Sequence, residues 1–326
     1  NLVASLVANR LNLGGAAYTV DAACASSLLA IDHAVNELQS GRADMAIAGG
    51  VHIAQNATFW SIFNQLGALS KKQQSRPFDE EADGLIIGEG CGFIVLKTLE
   101  KAQQDHDKIY CIIKGVGVSS DGSGTSVMSP SVKGQVKAIE QALKKAKISA
   151  NDVGYIEAHG TATPLGDRTE LETLKQVFGT YQGGLKAKIG SVKSMIGHAM
   201  PAAGIASIIK TALALYYDIL PPTLHCASPT ETMKSTRFEP SLQPIAWSKS
   251  GLPLVAGVNA FGFGGINAHV VLKAYSQKRK ITSDSTPSLL PDDKLLLLAR
   301  TNVEELIRAL ETQDTTLGVG NYRIAI

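Results

Sequence analysis

A cysteine stands at a predicted strand-to-helix turn close to the start of the chain, within the sequence VDAACASSL at 20–28. The apolar run at 18–20 predicts a strand, and an apolar pattern of helical spacing follows at 25–38. The free N–H groups and the dipole of a helix N-terminus favour a thiolate, so this position predicts that Cys24 is a nucleophile. The alternative for a lone cysteine is a small buried residue.

Composition narrows the class of protein. The chain has 326 residues, 44% of them hydrophobic, and a net charge of +2, so it can bury a large core and has no electrostatic basis for binding nucleic acid. Its four cysteines lack Cys-x-x-Cys spacing, which argues against a zinc site or disulfides and favours a reducing cytoplasm. The apolar segment 199–217 contains Lys210 and is expected to be a buried helix, not a membrane span.

Strands and helices alternate along the chain, which favours an α/β fold. Residues 91–97 and 109–118 are predicted to be adjacent strands. In the predicted helix 167–178, Asp167 is expected to be the N-cap and Glu170 the partner in a capping box. Further elements are expected as helices at 25–38, 133–145, 201–217 and 303–310, and as strands at 45–48, 152–158, 188–192, 254–259, 268–273 and 294–299.

A change in composition after Tyr275 divides the chain. Residues 1–275 are expected to form one domain. The polar stretch 276–291 is expected to be a linker, and 292–326 the start of a following linker or acyltransferase-type module.

Two histidines come at or just past predicted strand ends, the usual place for active-site groups in α/β folds. His159 lies in EAHGTATPLGD, and His198 ends the sequence GSVKSMIGH. A single histidine in such a place is structural about as often as it is catalytic. Together with Cys24, the two predict a Cys/His/His set.

Five motifs, in this order along the chain, resemble those of the β-ketoacyl synthase (ketosynthase) family: residues 20–28, 76–90, 159–170, 193–198 and the sequence NAFGFGGINAH at 259–269. The resemblance covers about residues 9–275 and points to type I polyketide synthases, especially iterative ones that make polyunsaturated fatty acids, enediyne precursors or glycolipid chains. It implies a thiolase-like five-layer αβαβα fold of two related halves, with the first half incomplete here.

The resemblance also implies a decarboxylative Claisen condensation. Cys24 would carry the acyl chain, and the backbone N–H groups of Cys24 and Phe261 would form the oxyanion hole. His159 and His198 would bind the thioester carbonyl of a malonyl unit. Lys193 would have an electrostatic or ordering role, paired with Glu170.

Other positions have both a functional and a structural interpretation. Thr161 and Thr163 match positions that bind phosphopantetheine, although their hydroxyls could instead satisfy the turn after His159. Phe263 matches an aromatic gate over the acyl pocket, or is simply packed in the core. The remaining supporting residues implied by the resemblance are Glu170, Asn259 and Gly264.

No metal and no cofactor bound by the domain itself are implied, because the phosphopantetheine arm of an acyl carrier protein would deliver the substrate. The implied partners are that carrier, an acyltransferase and other synthase modules, and a second copy in a homodimer. Three alternatives remain: a stand-alone fatty acid condensing enzyme, a non-condensing scaffold of the chain-length-factor type, and a thiolase. A scaffold typically lacks the cysteine, and a thiolase needs a second catalytic cysteine, which is absent from 259–326.

Overall fold

The structure, a computed structural model, describes residues 2–53, 56–123, 126, 129–275, 297–312 and 322–325. The chain divides into two compact units, Asn1–Tyr275 and Ser276–Ile326. The expected linker at 276–291 lies outside the described residues. The assignment of 292–326 to a following module stays a prediction.

The regular elements are these. The α-helices are α1 (Leu2–Arg10), α2 (Ser26–Gln39), α3 (Ala57–Gln65), α4 (Leu99–Gln104), α5 (Val132–Ala146), α6 (Pro164–Phe178), α7 (Lys193–Ile196), α8 (Ala203–Tyr217), α9 (Glu231–Ser235) and α10 (Val303–Glu311). The strands are β1 (Ala46–His52), β2 (Gly90–Leu96), β3 (Ile112–Ser120), β4 (Tyr155–Glu157), β5 (Ala187–Gly190), β6 (Ile219–Leu220), β7 (Phe238–Pro240), β8 (Ile245–Ala246), β9 (Val255–Gly262), β10 (Ile266–Lys273), β11 (Leu297–Arg300) and β12 (Tyr322–Ala325).

A six-stranded mixed sheet organises the larger unit, in the order β3-β10-β9-β4-β5-β7. Strands β9, β4, β5 and β7 are parallel, and β10 runs antiparallel between β9 and β3. Helices α2 and α8 lie between this sheet and the antiparallel pair β1–β2, while α5 packs on β3 and β10 beside α6. The described residues thus show four successive layers of the expected five.

Close packing between the layers depends on small residues. A Cβ on Gly117 of β3 would lie 2.0 Å from the carbonyl oxygen of Ala138, so only glycine lets α5 approach the strand this closely. The α2–α8 contact is similar, because a Cβ on Gly204 would lie 2.8 Å from Oγ of Ser27. The second contact holds the N-terminal turn of α2 against α8.

Two strand predictions were wrong. Residues 18–20 form no strand, and no backbone hydrogen bond joins 14–21 to a neighbouring strand within the described chain. A strand needs such a neighbour, whatever its side chains favour. The strands expected at 91–97 and 109–118 form as β2 and β3 but belong to different sheets, with α4 between them.

The predicted helix at 167–178 begins one turn earlier, at Pro164, with Thr163 as N-cap. Proline favours the first helical position, because its φ suits a helix and its missing N–H is not needed there. Asp167 is therefore not the N-cap, and the expected capping box with Glu170 was wrong.

The apolar segment before Pro221 forms a short 3-10 turn, Met200–Ala202, and then α8. By length and composition Met200–Tyr217 could cross a membrane, but 56% of it is buried inside the protein. It packs between β2 and β9, as a core helix does. In the smaller unit, β11 pairs antiparallel with β12, and α10 contacts both strands.

Candidate functional site

Cys24 sits in a strained turn at the start of α2. It lies in the 3-10 helix Ala23–Ala25, and Ala23 has a φ of 48°, which is unusual for a residue with a side chain. The hydroxyl of Ser26 donates to the carbonyl of Ala23 (2.6 Å) and accepts from the N–H of Ala22 (2.9 Å). A Cβ on Gly262 would lie 2.5 Å from the Ala22 carbonyl oxygen, so glycine at the end of β9 makes room for the turn.

The thiol of Cys24 does not favour ionisation in the folded chain. Burial raises its pKa to about 11, while the charge of Lys193 and the backbone N–H groups of Phe263 and Cys24 itself act in the opposite direction. The N–H groups at the helix start therefore act in the expected direction, but the loss of hydration outweighs them and raises the net pKa.

His159 lies just past the end of β4 in a loop whose backbone is held by two buried carboxylates. Glu170 accepts from the N–H groups of His159 and Gly160, both at 2.8 Å. Asp167 accepts from the N–H groups of Ala162 (3.0 Å) and Phe78 (2.7 Å), and burial raises the pKa of Asp167 to about 7. Helix α6 thus fixes the loop that carries His159.

His198 follows β5 and α7, and hydrogen bonds hold both its backbone and its ring. Its N–H donates to the carbonyl of Ile86 (2.7 Å), and its carbonyl accepts from the N–H of Gly88 (3.0 Å). Its Nδ1 accepts from the N–H of Met200 at 3.0 Å. A neutral imidazole that accepts at Nδ1 carries its proton on Nε2, so His198 presents a donor at Nε2.

These elements bring Cys24, His159 and His198 together. One ligand atom from each side chain, the sulfur or a ring nitrogen, lies within 4.8 Å of the other two, and the imidazole rings meet edge-on at 5.6 Å. Burial and then the charge of Lys193 hold the pKa of both histidines well below the usual value. Two neutral imidazoles therefore face the sulfur.

Lys193 is buried beneath this set at the start of α7, and burial lowers its pKa. No ion pair within 4.0 Å joins Lys193 to Glu170 in the part of the chain that the structure describes, although the charge of each acts on the pKa of the other. The expected pairing is therefore a longer-range charge interaction and not a salt bridge. Glu170 instead uses its carboxylate on backbone N–H groups and on the amide of Asn259 (2.8 Å). Lys193 acts on the site through its charge, which lowers the pKa of Cys24 and of both histidines.

Asn259 extends the Glu170 contact into the sheet. Its amide oxygen accepts from Nδ1 of the buried His269 at 2.6 Å, while its amide nitrogen donates to Glu170. Burial lowers the pKa of His269 to about 3, so this ring is neutral. A chain of hydrogen bonds through His269, Asn259 and Glu170 thus connects β10 and β9 to the backbone of His159.

The hydroxyls of Thr161 and Thr163 lie 2.9 Å apart at the start of α6. Only one of them donates in that contact, which leaves the other hydroxyl proton for a ligand. Gly166 lies beside both, because a Cβ there would approach Oγ1 of Thr163 to 2.5 Å.

The two phenylalanines after Asn259 have different surroundings. The ring of Phe261 lies 5.7 Å from that of His159, whereas the backbone N–H of Phe263 acts to lower the pKa of the Cys24 thiol. The side chain of Phe263 is 41% exposed at the tip of the β9–β10 hairpin, 6.1 Å from the ring of Phe63. Gly264, with a φ of 92°, turns this hairpin.

Sequence reasoning missed Glu157, which is fully buried in β4. It accepts from the N–H of Val192 at 2.6 Å, and it pairs with Lys210 at 2.8 Å. It therefore fixes the residue before Lys193. An acidic residue inside an apolar strand was a signal for such a role.

Donor type and spacing at Cys24, His159 and His198 could suit a metal ion. The tautomer of His198 argues against this use, because a metal at Nε2 would put the ring proton on Nδ1. That proton would then meet the N–H of Met200, which donates to the same atom.

Comparison with known proteins places this geometry in a family. The model "Beta-ketoacyl synthase, N-terminal domain" matches residues 1–102, and "Beta-ketoacyl synthase, C-terminal domain" matches 110–227. A third, "Ketoacyl-synthetase C-terminal extension", matches 229–316, on both sides of the boundary at 275.

Curated relatives are polyketide synthases. The chain is 39% identical over 297 residues to polyketide synthase PksN of Bacillus subtilis. The aligned region covers 86% of this chain and 5% of that protein. It is 40% identical over 282 residues to one of the phenolphthiocerol/phthiocerol polyketide synthase proteins of Mycobacterium tuberculosis, covering 84% of this chain and 15% of that protein. The chain thus spans a small part of the relatives it matches. The narrower likeness to iterative synthases stays a prediction.

Solved structures agree with the predicted thiolase-like α/β fold. A ketosynthase from module 6 of the bacillaene synthase of Bacillus subtilis superposes with a TM-score of 0.80 at 31% identity, covering 99% of this chain and 59% of that one. An oxazolomycin ketosynthase domain from Streptomyces albus superposes with a TM-score of 0.80 at 31% identity. The match covers 95% of this chain and 53% of that one. The predicted fold class is confirmed, and the chain belongs to the β-ketoacyl synthase family of polyketide synthase ketosynthase domains.

Proposed function

We propose that this chain performs decarboxylative Claisen condensation between an acyl group on Cys24 and a malonyl unit carried by an acyl carrier protein. The observation that carries the proposal is the meeting of the Cys24 sulfur with two neutral imidazoles within 4.8 Å. A nucleophile and two donors at one point suit acyl transfer followed by attack of an enolate.

In the first step the Cys24 sulfur attacks the thioester carbonyl of an acyl-pantetheine. The carbon–sulfur bond to the pantetheine breaks, and the thiol proton of Cys24 leaves with the pantetheine sulfur. We assign the oxyanion hole to the backbone N–H groups of Cys24 and Phe263. Phe263 replaces Phe261 in this role, because the N–H of Phe263 acts to lower the pKa of the Cys24 thiol and that of Phe261 does not.

In the second step the carbonyl oxygen of the malonyl thioester accepts hydrogen bonds from His159 and His198. The bond to the carboxylate breaks, CO2 leaves, and its electron pair becomes the enolate that the imidazole N–H groups stabilise. The enolate carbon attacks the acyl carbonyl on Cys24, and the thiolate leaves. The 3-ketoacyl product stays on the carrier, and Cys24 regains a proton.

Other residues position the reactants. The hydroxyls of Thr161 and Thr163 bind the phosphopantetheine arm, and the exposed ring of Phe263 gates the acyl pocket. Glu170, Asn259 and Gly264 hold the His159 loop and the hairpin. No cofactor of the domain's own takes part, and no metal either, since the tautomer of His198 disfavours a metal at its Nε2.

The partners follow from this chemistry. An acyl carrier protein delivers both acyl groups, and an acyltransferase and other modules act on the same carrier. We place the protein in the cytoplasm as a homodimer.

Measuring CO2 release from a malonyl-carrier thioester alongside formation of the 3-ketoacyl product distinguishes decarboxylation from condensation. We expect Cys24→Ala to lose condensation and to keep decarboxylation, because the imidazole donors remain. His198→Ala should suppress both, since the Nε2 donor is gone. Condensation by Cys24→Ala, or normal CO2 release by His198→Ala, would contradict the assignment.

A further inference from the structure

A histidine outside the Cys/His/His set has a buried nitrogen without a partner. His52 ends β1 and is 6% exposed. Its Nε2 is shielded from solvent and has no hydrogen-bond partner in the part of the chain that the structure describes. Most buried polar atoms are paired, so an unpaired one in the wall of a site indicates a ligand.

The position of His52 along β1 directs its ring toward the site. Side chains alternate along a strand, so His52 shares a face with Gly50. A Cβ on Gly50 would lie 2.8 Å from the carbonyl oxygen of Pro201 and 3.0 Å from Cβ of Ser27. That face of β1 therefore packs against the N-terminus of α2 and against the turn after His198. Helix α2 begins two residues after Cys24.

One short segment joins His52 to His198. His52 pairs with Gly90 in the β1–β2 ladder, and Gly88 donates its N–H to the carbonyl of His198. The rings are near enough that His52 adds to the causes that lower the pKa of His198.

An aromatic row connects His52 to the wall around the sulfur. The His52 ring lies 5.1 Å from Phe59, Phe59 lies 5.1 Å from Phe63, and Phe63 lies 6.1 Å from Phe263. Phe63 also packs in one cluster with Cys24, together with Leu85, Ile87 and Met200. His52 thus lies at the end of an aromatic row that reaches the apolar cluster around the nucleophile.

We propose that His52 is a specificity-determining residue whose Nε2 hydrogen-bonds an oxygen substituent, hydroxyl or keto, on the acyl chain held by Cys24. This inference rests on the proposed acyl transfer. Burial lowers the pKa of His52, so the ring is neutral and Nε2 can donate to a keto oxygen or accept from a hydroxyl. A hydrocarbon chain would leave Nε2 unpaired, and a site of this kind discriminates against the ligand that lacks the partner.

The test compares acylation rates of Cys24 in the full-length protein, followed by mass spectrometry of the Cys24 peptide. The probes are N-acetylcysteamine thioesters of hexanoic, 3-hydroxyhexanoic and 5-oxohexanoic acid. We expect wild type to prefer one oxygenated chain over hexanoyl by about tenfold or more. His52→Leu should lose that preference while hexanoyl still reacts, and His52→Gln should keep part of it.

Hexanoyl is the internal control, because a folding defect lowers all three rates together. If His52→Leu reacts with none of the probes, the same comparison is made with His52→Phe, which keeps the packing on Phe59. An oxygenated-to-hexanoyl ratio that is equal in wild type and the apolar variant would overturn the role of His52. No adduct with any probe in wild type would instead contradict the proposed acyl transfer, and the His52 assignment would fall with it.

Discussion

The sulfur of Cys24 is held as a thiol, and Lys193 is the charge that acts on it. Because burial raises the Cys24 pKa to about 11, alkylation by iodoacetamide should accelerate about tenfold per pH unit between about pH 7 and 9, as the thiolate fraction grows. Lys193→Met should slow the reaction at every pH, since the charge that lowers the Cys24 pKa is lost. Lys193→Arg should keep the wild-type profile.

The alkylation rate is read by mass spectrometry of the Cys24 peptide at each pH. A rate that levels off below about pH 8 would show that the thiol ionises far more readily than burial allows. Equal profiles for Lys193→Met and wild type would remove Lys193 from its electrostatic role.

Glu170 is the residue whose loss should separate the two steps. Its carboxylate accepts from two backbone N–H groups and one amide, and glutamine offers a single acceptor oxygen. Glu170→Gln should therefore leave a buried donor unpaired and cost about 1–3 kcal/mol of unfolding free energy. Malonyl decarboxylation should fall more than Cys24 acylation, because the change displaces His159.

Glu172→Gln is the matched control on the same helix, since its carboxylate is 43% exposed and pairs with Lys175. Thermal unfolding, acylation and CO2 release are measured for both variants. An unchanged unfolding free energy in Glu170→Gln, or equal loss of both steps, would speak against a role in placing His159.

At the scale of elements, the carboxyl ends of the parallel strands β4, β5 and β9 meet at one edge of the sheet. His159 follows β4, Lys193 and His198 follow β5, and the Phe263 hairpin follows β9. Helix α2 brings Cys24 to the same edge. The sequence could predict this meeting, because the motifs come at strand ends and α/β folds collect such ends.

The contacts inside the site could not be predicted in the same way. Glu170 and Asn259 are 89 residues apart, so no local pattern reveals their hydrogen bond. Phe261 and Phe263 are two residues apart in one motif, and the place where β9 ends determines which of their N–H groups acts on the Cys24 thiol. The Cys24 pKa depends on how deeply the turn is buried, which the sequence does not contain.

Gly262 tests how β9 supports the Cys24 turn. In Gly262→Ala the new Cβ would lie 2.5 Å from the Ala22 carbonyl oxygen, so the turn must move. We expect acylation of Cys24 to fall about tenfold or more, with a lower melting temperature. Gly90→Ala is the control, because nothing lies within 4 Å of a Cβ there and its φ is not in the left-handed region. A Gly262→Ala variant that acylates like wild type would show that the turn does not depend on this approach.

At the scale of the whole molecule, residues 14–21 suggest where two copies meet. They lie directly before the Cys24 turn and form no backbone hydrogen bond to a strand within the described chain. Backbone N–H and C=O groups without a neighbouring strand can pair with a second chain. If the proposed homodimer pairs here, Thr19→Pro, which removes an N–H donor, should shift the full-length protein toward monomer in sedimentation velocity.

Thr19→Ala keeps the N–H and should sediment as wild type does. Wild-type protein that is monomeric at all concentrations would refute the homodimer. A dimer that is unaffected by Thr19→Pro would place its interface elsewhere.

The central claim is covalent acyl transfer to Cys24, and intact-protein mass spectrometry tests it most directly. Full-length protein is exposed to an acyl-pantetheine thioester, with Cys24→Ala alongside and Cys91→Ala as the control at an exposed cysteine. The account predicts one acyl adduct in wild type and Cys91→Ala, and none in Cys24→Ala. An adduct that persists in Cys24→Ala, or no adduct on well-folded wild-type protein, would contradict it.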